Sequence, residues 1–138
     1  MIEVFADGCS LGNPGPAGAG AVIYKNKKVI KEISEFIGET TNNVAEYSAL
    51  ILALFQLINI PGKEIKIYLD SELVVRQIQG IYKIKNKKIF TLSLLAKELI
   101  SQLGRCSLTH IPRTKNQRAD SLAKKGANKK PVGIKFTS

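Results

Sequence analysis

Four acidic side chains fall where carboxylates can act together: Asp7, Glu46, Asp70 and Asp120. Asp7 closes an alternating run, Ile2-Glu3-Val4-Phe5-Ala6, that reads as a strand. Asp70 closes a second such run, Ile65-Lys66-Ile67-Tyr68-Leu69. Glu46 lies in the first turn of an apolar helical stretch, and Asp120 in the first turns of a helix near the C-terminus. If the two strands are neighbours, Asp7 and Asp70 stand side by side at their carboxyl ends, about 4.8 Å apart. Two metal ions acting jointly on a phosphodiester sit roughly 3.5–4 Å apart, a separation that carboxylates on adjacent strand ends suit. The carboxyl edge of an α/β sheet is also where ligands commonly bind. Four such groups raise one another's pKa unless something neutralises them. Hard oxygen donors favour Mg²⁺, with Mn²⁺ as a substitute, over zinc. Each residue also has a local alternative. Glu46 can complete a capping box with Asn43, Asp70 can cap a helix that starts at Ser71, and Asp120 can be a surface charge suited to a helix N-terminus.

The elements that would carry these groups follow in order. After the first strand comes a glycine-rich turn, Gly8-Cys9-Ser10-Leu11-Gly12-Asn13-Pro14-Gly15, whose backbone N–H groups can approach a ligand closely. Residues 19–24 read as a second strand and 28–37 as a third, an antiparallel meander. Residues 38–43 are punctuation and a helix cap. Residues 44–58 form a helix apolar on nearly every side, one packed between other elements. Pro61-Gly62 breaks it. A short strand at 65–69 and a helix at 71–78 complete a βαβ crossover, which predicts that this strand runs parallel to one of the meander strands. A basic loop, 79–88, leads to an amphipathic helix at 90–103 with Leu92, Leu95, Leu99 and Leu103 on one face. A last strand covers 106–113 and a last helix 116–128, followed by a loosely held tail, 129–138.

The 138 residues suit a single domain spanning 1–138. A net charge of +10 predicts a polyanionic partner, most often nucleic acid. An anionic membrane would want a basic amphipathic helix, whereas the lysines here are spread over loops and helix ends. Met1 leads directly into the first strand, and the most apolar stretch, 43–60, is interrupted by Asn43, Glu46 and Gln56. A cytoplasmic protein is the expectation. Cys9 and Cys106 are far apart and in no metal-like spacing, which suggests free thiols.

The segments D-G-C-S-L-G-N-P-G-P-A-G-A-G at 7–20, T-T-N-N-V-A-E-Y at 40–47, L-D-S-E-L-V-V-R-Q at 69–77 and I-P-R-T-K-N-Q-R-A-D-S-L-A at 111–123 resemble type 1 ribonuclease H. The match runs in order over nearly the whole chain. The resemblance implies an α/β fold of the ribonuclease H-like kind. Its sheet has five strands, three antiparallel and then parallel additions, with helices on both faces. It implies endonucleolytic hydrolysis of the RNA strand of RNA–DNA hybrids with two Mg²⁺ ions, leaving 5′-phosphate and 3′-hydroxyl ends. The family's metal-binding carboxylates fall on Asp7, Glu46, Asp70 and Asp120, with Asp7 as the bridging ligand and Glu46 also accepting from a ribose 2′-hydroxyl. The family's readers of that hydroxyl, backbone groups of the glycine-rich turn and amide side chains, map to Gly8, Cys9, Ser10, Asn13, Asn42, Asn43 and Gln77. A pocket for a DNA-strand phosphate maps to Thr41 with Asn13.

Two departures matter. Many relatives carry a His in a loop before the last helix. Here the spacing I-P-R-x-x-N-x-x-A-D resembles the subgroup in which Arg replaces it, which makes Arg113 the turnover residue. His110 is then a strand residue with a structural hydrogen bond. Arginine is a fixed charge and cannot shuttle protons at neutral pH. Many relatives also carry an inserted basic protrusion. Here Tyr82, Lys83, Lys85, Lys87 and Lys88 form a reduced version, in which Tyr82 either stacks on the DNA strand or packs on the core. No separate hybrid-binding domain is seen, and a monomer is expected, with double-stranded RNA as a side substrate. The competing reading is a catalytically silent hybrid-binding module, against which the presence of all four carboxylates argues.

Overall fold

A computed structural model describes residues 1–60 and 64–129. The helix break at Pro61-Gly62 and the tail beyond Lys129 lie outside these residues. Three strands, β1 (Ile2–Ser10), β2 (Gly15–Lys25) and β3 (Lys28–Thr40), form the antiparallel meander. Next come α1 (Asn42–Leu57), β4 (Ile65–Leu69), α2 (Glu72–Ile78) and α3 (Lys87–Leu103). The last elements are β5 (Cys106–His110), a 3-10 turn at Arg113–Lys115 and α4 (Gln117–Ala127). The sheet order is β3-β2-β1-β4-β5, with β4 parallel to β1 and β5 parallel to β4. The parallel strand implied by the crossover is therefore β4, and its neighbour is the central strand β1. Helices cover both faces, as the ribonuclease H-like α/β fold requires.

Alternation decides which face is the core. Ile2, Val4 and Ala6 of β1, Ala19, Ala21 and Ile23 of β2, and Ile65, Ile67 and Leu69 of β4 turn toward α1, α2 and α3. There they meet Leu50, Leu54, Leu57, Val74, Val75, Ala96 and Leu99, each buried aliphatic side chain contributing about 1.5–3 kcal/mol. α1 lies between the sheet and α3, which is why it is apolar nearly all round. Among the described residues, the opposite face carries α4 alone. Alternate residues of β2 there are glycines. A Cβ on Gly20 would lie 2.3 Å from the Ala123 nitrogen and 2.4 Å from the Ala119 oxygen, so the helix rests on bare backbone.

The structure corrects several element ends. β1 continues to Ser10, so Asp7 lies inside the strand rather than at its tip. It follows Ala6, whose pair with Leu69 is the last of the β1–β4 ladder. β3 extends to Thr40, because Gly15 and Pro16 of β2 pair with Thr40 and Glu39, taking up residues expected to be loop. α3 begins at Lys87, capped by the Asn86 side chain, which accepts from the Ile89 N–H at 3.0 Å, so the basic loop is shorter than its composition suggested. The buried face of α3 is Ile89, Ser93, Ala96 and Leu99, while Leu95 is exposed. Leu92 and Leu103 pack against the core beside Leu99, so three of the four spaced leucines lie on its side and only Leu95 does not. β5 stops at His110, leaving Arg113 in the 3-10 turn. Among the described residues no helix is long and apolar enough to cross a membrane.

Candidate active site

Four different elements bring the carboxylates to one end of the sheet. Asp7 follows the last β1–β4 pair, and Asp70 follows the last residue of β4. Glu46 comes from the first turns of α1, which sits directly on β1. A Cβ on Gly8 would lie 2.1 Å from the Ala45 carbonyl carbon and 2.3 Å from the Glu46 nitrogen, so only glycine permits this approach. Asp120 comes from α4, seated on Gly20, the cross-strand partner of Asp7. Asp7, Glu46 and Asp70 line one small cleft with Ser71, and Asp120 lies within hydrogen-bonding range of Asp7.

The local capping alternatives fail for three reasons. The cap of α1 is Thr41, whose hydroxyl accepts from the Val44 N–H at 3.3 Å, so Asn43 does not cap and Glu46 is free of a capping box. The cap of α2 is Ser71, accepting from the Val74 N–H at 3.2 Å, which leaves Asp70 uncommitted. Asp120 pairs with Lys124 at 3.0 Å one helical turn on, but it also faces Asp7.

The electrostatics are those of crowded acids. Burial, reinforced by Asp70, Asp120 and Glu46, pushes the Asp7 carboxyl up to about 8. Burial also pushes Glu46 up to about 7; Asp70 adds to this, while Ser71 and Arg113 oppose it. For Asp120, burial is outweighed by Lys124, the hydrogen bond with Asp7 and Arg113, and its carboxyl is lowered. The shared proton therefore resides on Asp7. Cys9 faces the same group of charges; burial, Asp120 and Asp7 hold its thiol up, so it remains a protonated and poor ligand. Among the described residues no three acidic, Cys or His side chains stand preset at ligating distance from one point. Instead, protons offset the charge that a cation would offset. An all-carboxylate donor set, crowded enough to raise two of its members, fits a hard divalent cation.

Sequence reasoning missed one residue of this site. Asn116 precedes α4 and reads as its cap, yet its side chain makes no capping bond. It is buried, and its Nδ2 donates to Asp70 Oδ2 at 2.8 Å and to the Ala6 carbonyl at 2.9 Å, tying α4, β1 and the end of β4 together. No local signal distinguishes this role from capping.

The remaining sequence-selected residues separate into groups. Asn13 Oδ1 accepts from the Asn42 N–H at 3.0 Å, and Asn42 Oδ1 accepts from the Ser10 N–H at 3.0 Å, so the glycine-rich turn is laced to the start of α1. The Ser10 N–H, grouped with the hydroxyl-reading backbone, is thus already bonded within the protein. Asn13, Thr41, Asn42 and Asn43 line an open pocket of about 370 Å³ that also includes Asn86 and Lys88. Gln77 is buried, its Oε1 accepting from the Tyr47 hydroxyl at 2.9 Å. Tyr82 is exposed and donates to Glu72 Oε1 at 3.2 Å, so it does not pack on the core. Lys85 is exposed in the short basic loop. Arg113 is exposed yet near enough to oppose the rise of Glu46 and to help lower Asp120. His110, level with Leu69 across the β4–β5 pair, is exposed, and its imidazole makes no hydrogen bond to the described residues. Cys9 and Cys106 are both free thiols.

Comparison with known proteins defines the class. A family model described as reverse transcriptase-like matches residues 5–126. Ribonuclease HI of Helicobacter pylori is 37% identical over 140 residues, covering 94% of this chain and 94% of that protein. A Mycobacterium tuberculosis protein described as bifunctional is 41% identical over 124 residues, 88% of this chain. The chain spans about a third, 34%, of the length of that mycobacterial relative. The solved N-terminal ribonuclease H domain of the same protein superposes with a TM-score of 0.87 at 40% identity, covering 92% of this chain and 98% of that one. A compost-derived enzyme, LC11 ribonuclease H1, solved in complex with an RNA/DNA hybrid, gives a TM-score of 0.87 at 41% identity over 93% of this chain and 97% of that one. The chain belongs to the type 1 ribonuclease H family, whose members depend on divalent metal.

Proposed function

We propose that this chain hydrolyses the RNA strand of RNA–DNA hybrids endonucleolytically, using two divalent cations, Mg²⁺ with Mn²⁺ able to substitute. The products carry 5′-phosphate and 3′-hydroxyl ends. One observation carries the reading: Asp7, Glu46, Asp70 and Asp120 converge on one end of the sheet, where burial and mutual repulsion raise the Asp7 and Glu46 carboxyls. The relative solved with an RNA/DNA hybrid supports the substrate class. When bound, the cations supply the Lewis acidity that makes water a nucleophile near neutral pH and that stabilises the leaving 3′ oxygen.

The protein's own residues do the rest. Asp7 on the central strand, with Glu46, Asp70 and Asp120, would hold the cations, and Asn116 fixes the Asp70 rotamer. Glu46 also accepts from the ribose 2′-hydroxyl, the group that separates RNA from DNA. The water oxygen forms the new bond to phosphorus as the bond to the 3′ oxygen breaks, and one water proton ends on that oxygen. Gly8, Cys9 and the amides of Asn42 and Asn43 face the RNA strand. Thr41 and Asn13, with Asn86 and Lys88 beside them, receive a DNA-strand phosphate. Arg113 holds a phosphate by fixed charge and speeds turnover. Tyr82 and Lys85 extend the contact with the DNA strand.

The test is one assay with labelled RNA–DNA hybrid, duplex RNA and duplex DNA, each with Mg²⁺, Mn²⁺ or EDTA. Cleavage of the hybrid with either cation and none in EDTA is expected, and the duplex-RNA arm decides the side activity. An RNA strand left whole with every cation, by protein that binds the hybrid equally well in EDTA, would make the chain a silent binding module.

A further inference from the structure

Among the described residues, the lower half of the α4-side face of the sheet is left open. α4 crosses β2 at Gly20 and Gly18 and reaches β3 at Glu35, so it shields only the end of the sheet nearer the carboxylates. Below it, Phe5 stacks on Tyr68 with ring centroids 4.8 Å apart and meets Tyr24 edge-on at 5.8 Å and 88°. A cleft of about 430 Å³ opens there, within the size range of small-ligand sites. Phe5 and Tyr24 form two perpendicular walls, and Val22 and Ala119 line it beside them. Lys27, Lys115 and Arg118 also line it. Arg118 is already bound to Glu32 at 2.6 Å, whereas Lys27 and Lys115 make no ion pair among the described residues. Lys27 holds its backbone at φ +65°, a left-handed turn position where glycine is usual and a side chain costs about 1–2 kcal/mol.

We propose that this cleft binds a nucleotide, its base against Phe5 and Tyr24 and its phosphate between Lys27 and Lys115. The corner of two aromatic rings accepts a planar base without sequence-specific contacts. Two ammonium groups with no carboxylate partner accept a phosphate as point charges. Glu3, also in the lining and only loosely engaged by the Tyr68 hydroxyl at 3.5 Å, accepts from an exocyclic amine. The site therefore prefers adenine or cytosine to uracil. The nucleotide is either free or a unit of a single strand.

The cleft shares a wall with the catalytic edge. Asn116 lines it, and the same side chain donates to Asp70, while its buried Oδ1 has no hydrogen-bond partner among the described residues. Occupancy is therefore readable at the Asn116 side-chain amide by NMR.

The experiment titrates ¹⁵N-labelled protein in EDTA, so that cations cannot recruit phosphate to the carboxylates. The probes are AMP, UMP, inorganic phosphate and a short single-stranded oligoadenylate. Saturable shifts at Tyr24 and the Asn116 amide with AMP are expected, weaker with UMP. Lys27→Glu, in an exposed turn, should weaken AMP binding about tenfold and leave Mg²⁺-dependent hybrid cleavage without added nucleotide unchanged. Lys115→Glu provides an independent second variant for the binding measurement. Tighter binding of the oligoadenylate than of AMP identifies a strand as the source, and equal binding identifies the free nucleotide. Inorganic phosphate matching AMP, no saturation with any nucleotide, or unchanged AMP affinity in both variants would overturn the proposal.

Discussion

Gly8→Ala tests the packing that brings Glu46 to Asp7. The added Cβ would stand 2.1 Å from the Ala45 carbonyl carbon and 2.3 Å from both the Ala45 oxygen and the Glu46 nitrogen. Ordinary contact begins at 3.4 Å, and all three neighbours are backbone atoms, so no rotamer change relieves the clash. The first turn of α1 must retreat by about 1 Å or more, and overpacking of this kind costs roughly 1–3 kcal/mol. At about 4 °C per kcal/mol for a domain of this size, the melting temperature should fall by roughly 4–12 °C. A displacement of about 1 Å in a catalytic group lowers a rate about 10²-fold. The assay pairs thermal unfolding with initial rates of Mg²⁺-dependent hybrid cleavage. Gly38→Ala is the control: Gly38 has φ +87° and nothing within 4 Å of the position of an added Cβ. It should therefore cost only the backbone strain, about 1–2 kcal/mol, and keep the rate. A Gly8→Ala protein that melts earlier but cleaves at the wild-type rate would refute the claim that this contact positions Glu46. One that changes in neither respect would refute the packing itself.

The raised carboxyls of Asp7, to about 8, and Glu46, to about 7, mean that the folded metal-free protein holds protons more tightly than the unfolded chain. Their stabilisation is full below about pH 4 and is lost as pH rises through about 7–8. In EDTA the melting temperature of Asp7→Asn should fall less steeply over that range than the wild type's, with cleavage nearly abolished in Mg²⁺; equal slopes would contradict the buried-acid argument. Mg²⁺ binding near pH 7 should release protons, seen by calorimetry in buffers of different ionisation enthalpy, and binding without release would show that the protonated carboxyls are not the ligands. Asn116→Ala leaves Asp70 unsupported and should cost about 1–3 kcal/mol along with cleavage activity; full activity would remove Asn116 from the site. Arg113→Ala should slow turnover more than His110→Ala, and the reverse order would exchange their roles.

The amino-acid order alone determined the succession of elements and the identity of the four acids, because both are written locally. Alternation marks β1 and β4, the apolar run marks α1, and Asp70 stands where the β4 alternation ends. It also made the ribonuclease H resemblance legible, since four motifs lie in order along one chain. What required the tertiary structure was every relation between elements. Gly8 and Gly20 look like turn or strand-breaking residues until α1 and α4 are seen resting on their bare backbone. Asn116 is only the first residue of a helical stretch until its amide is found on Asp70. The strand ends shifted because pairing partners, not local propensity, decide where a ladder stops, as at Gly15 and Thr40. The proton held on Asp7 could not be read from Asp7 at all. It arises from burial and from like charges at Asp70, Asp120 and Glu46, which lie 63, 113 and 39 residues away in the chain and which only folding brings into range.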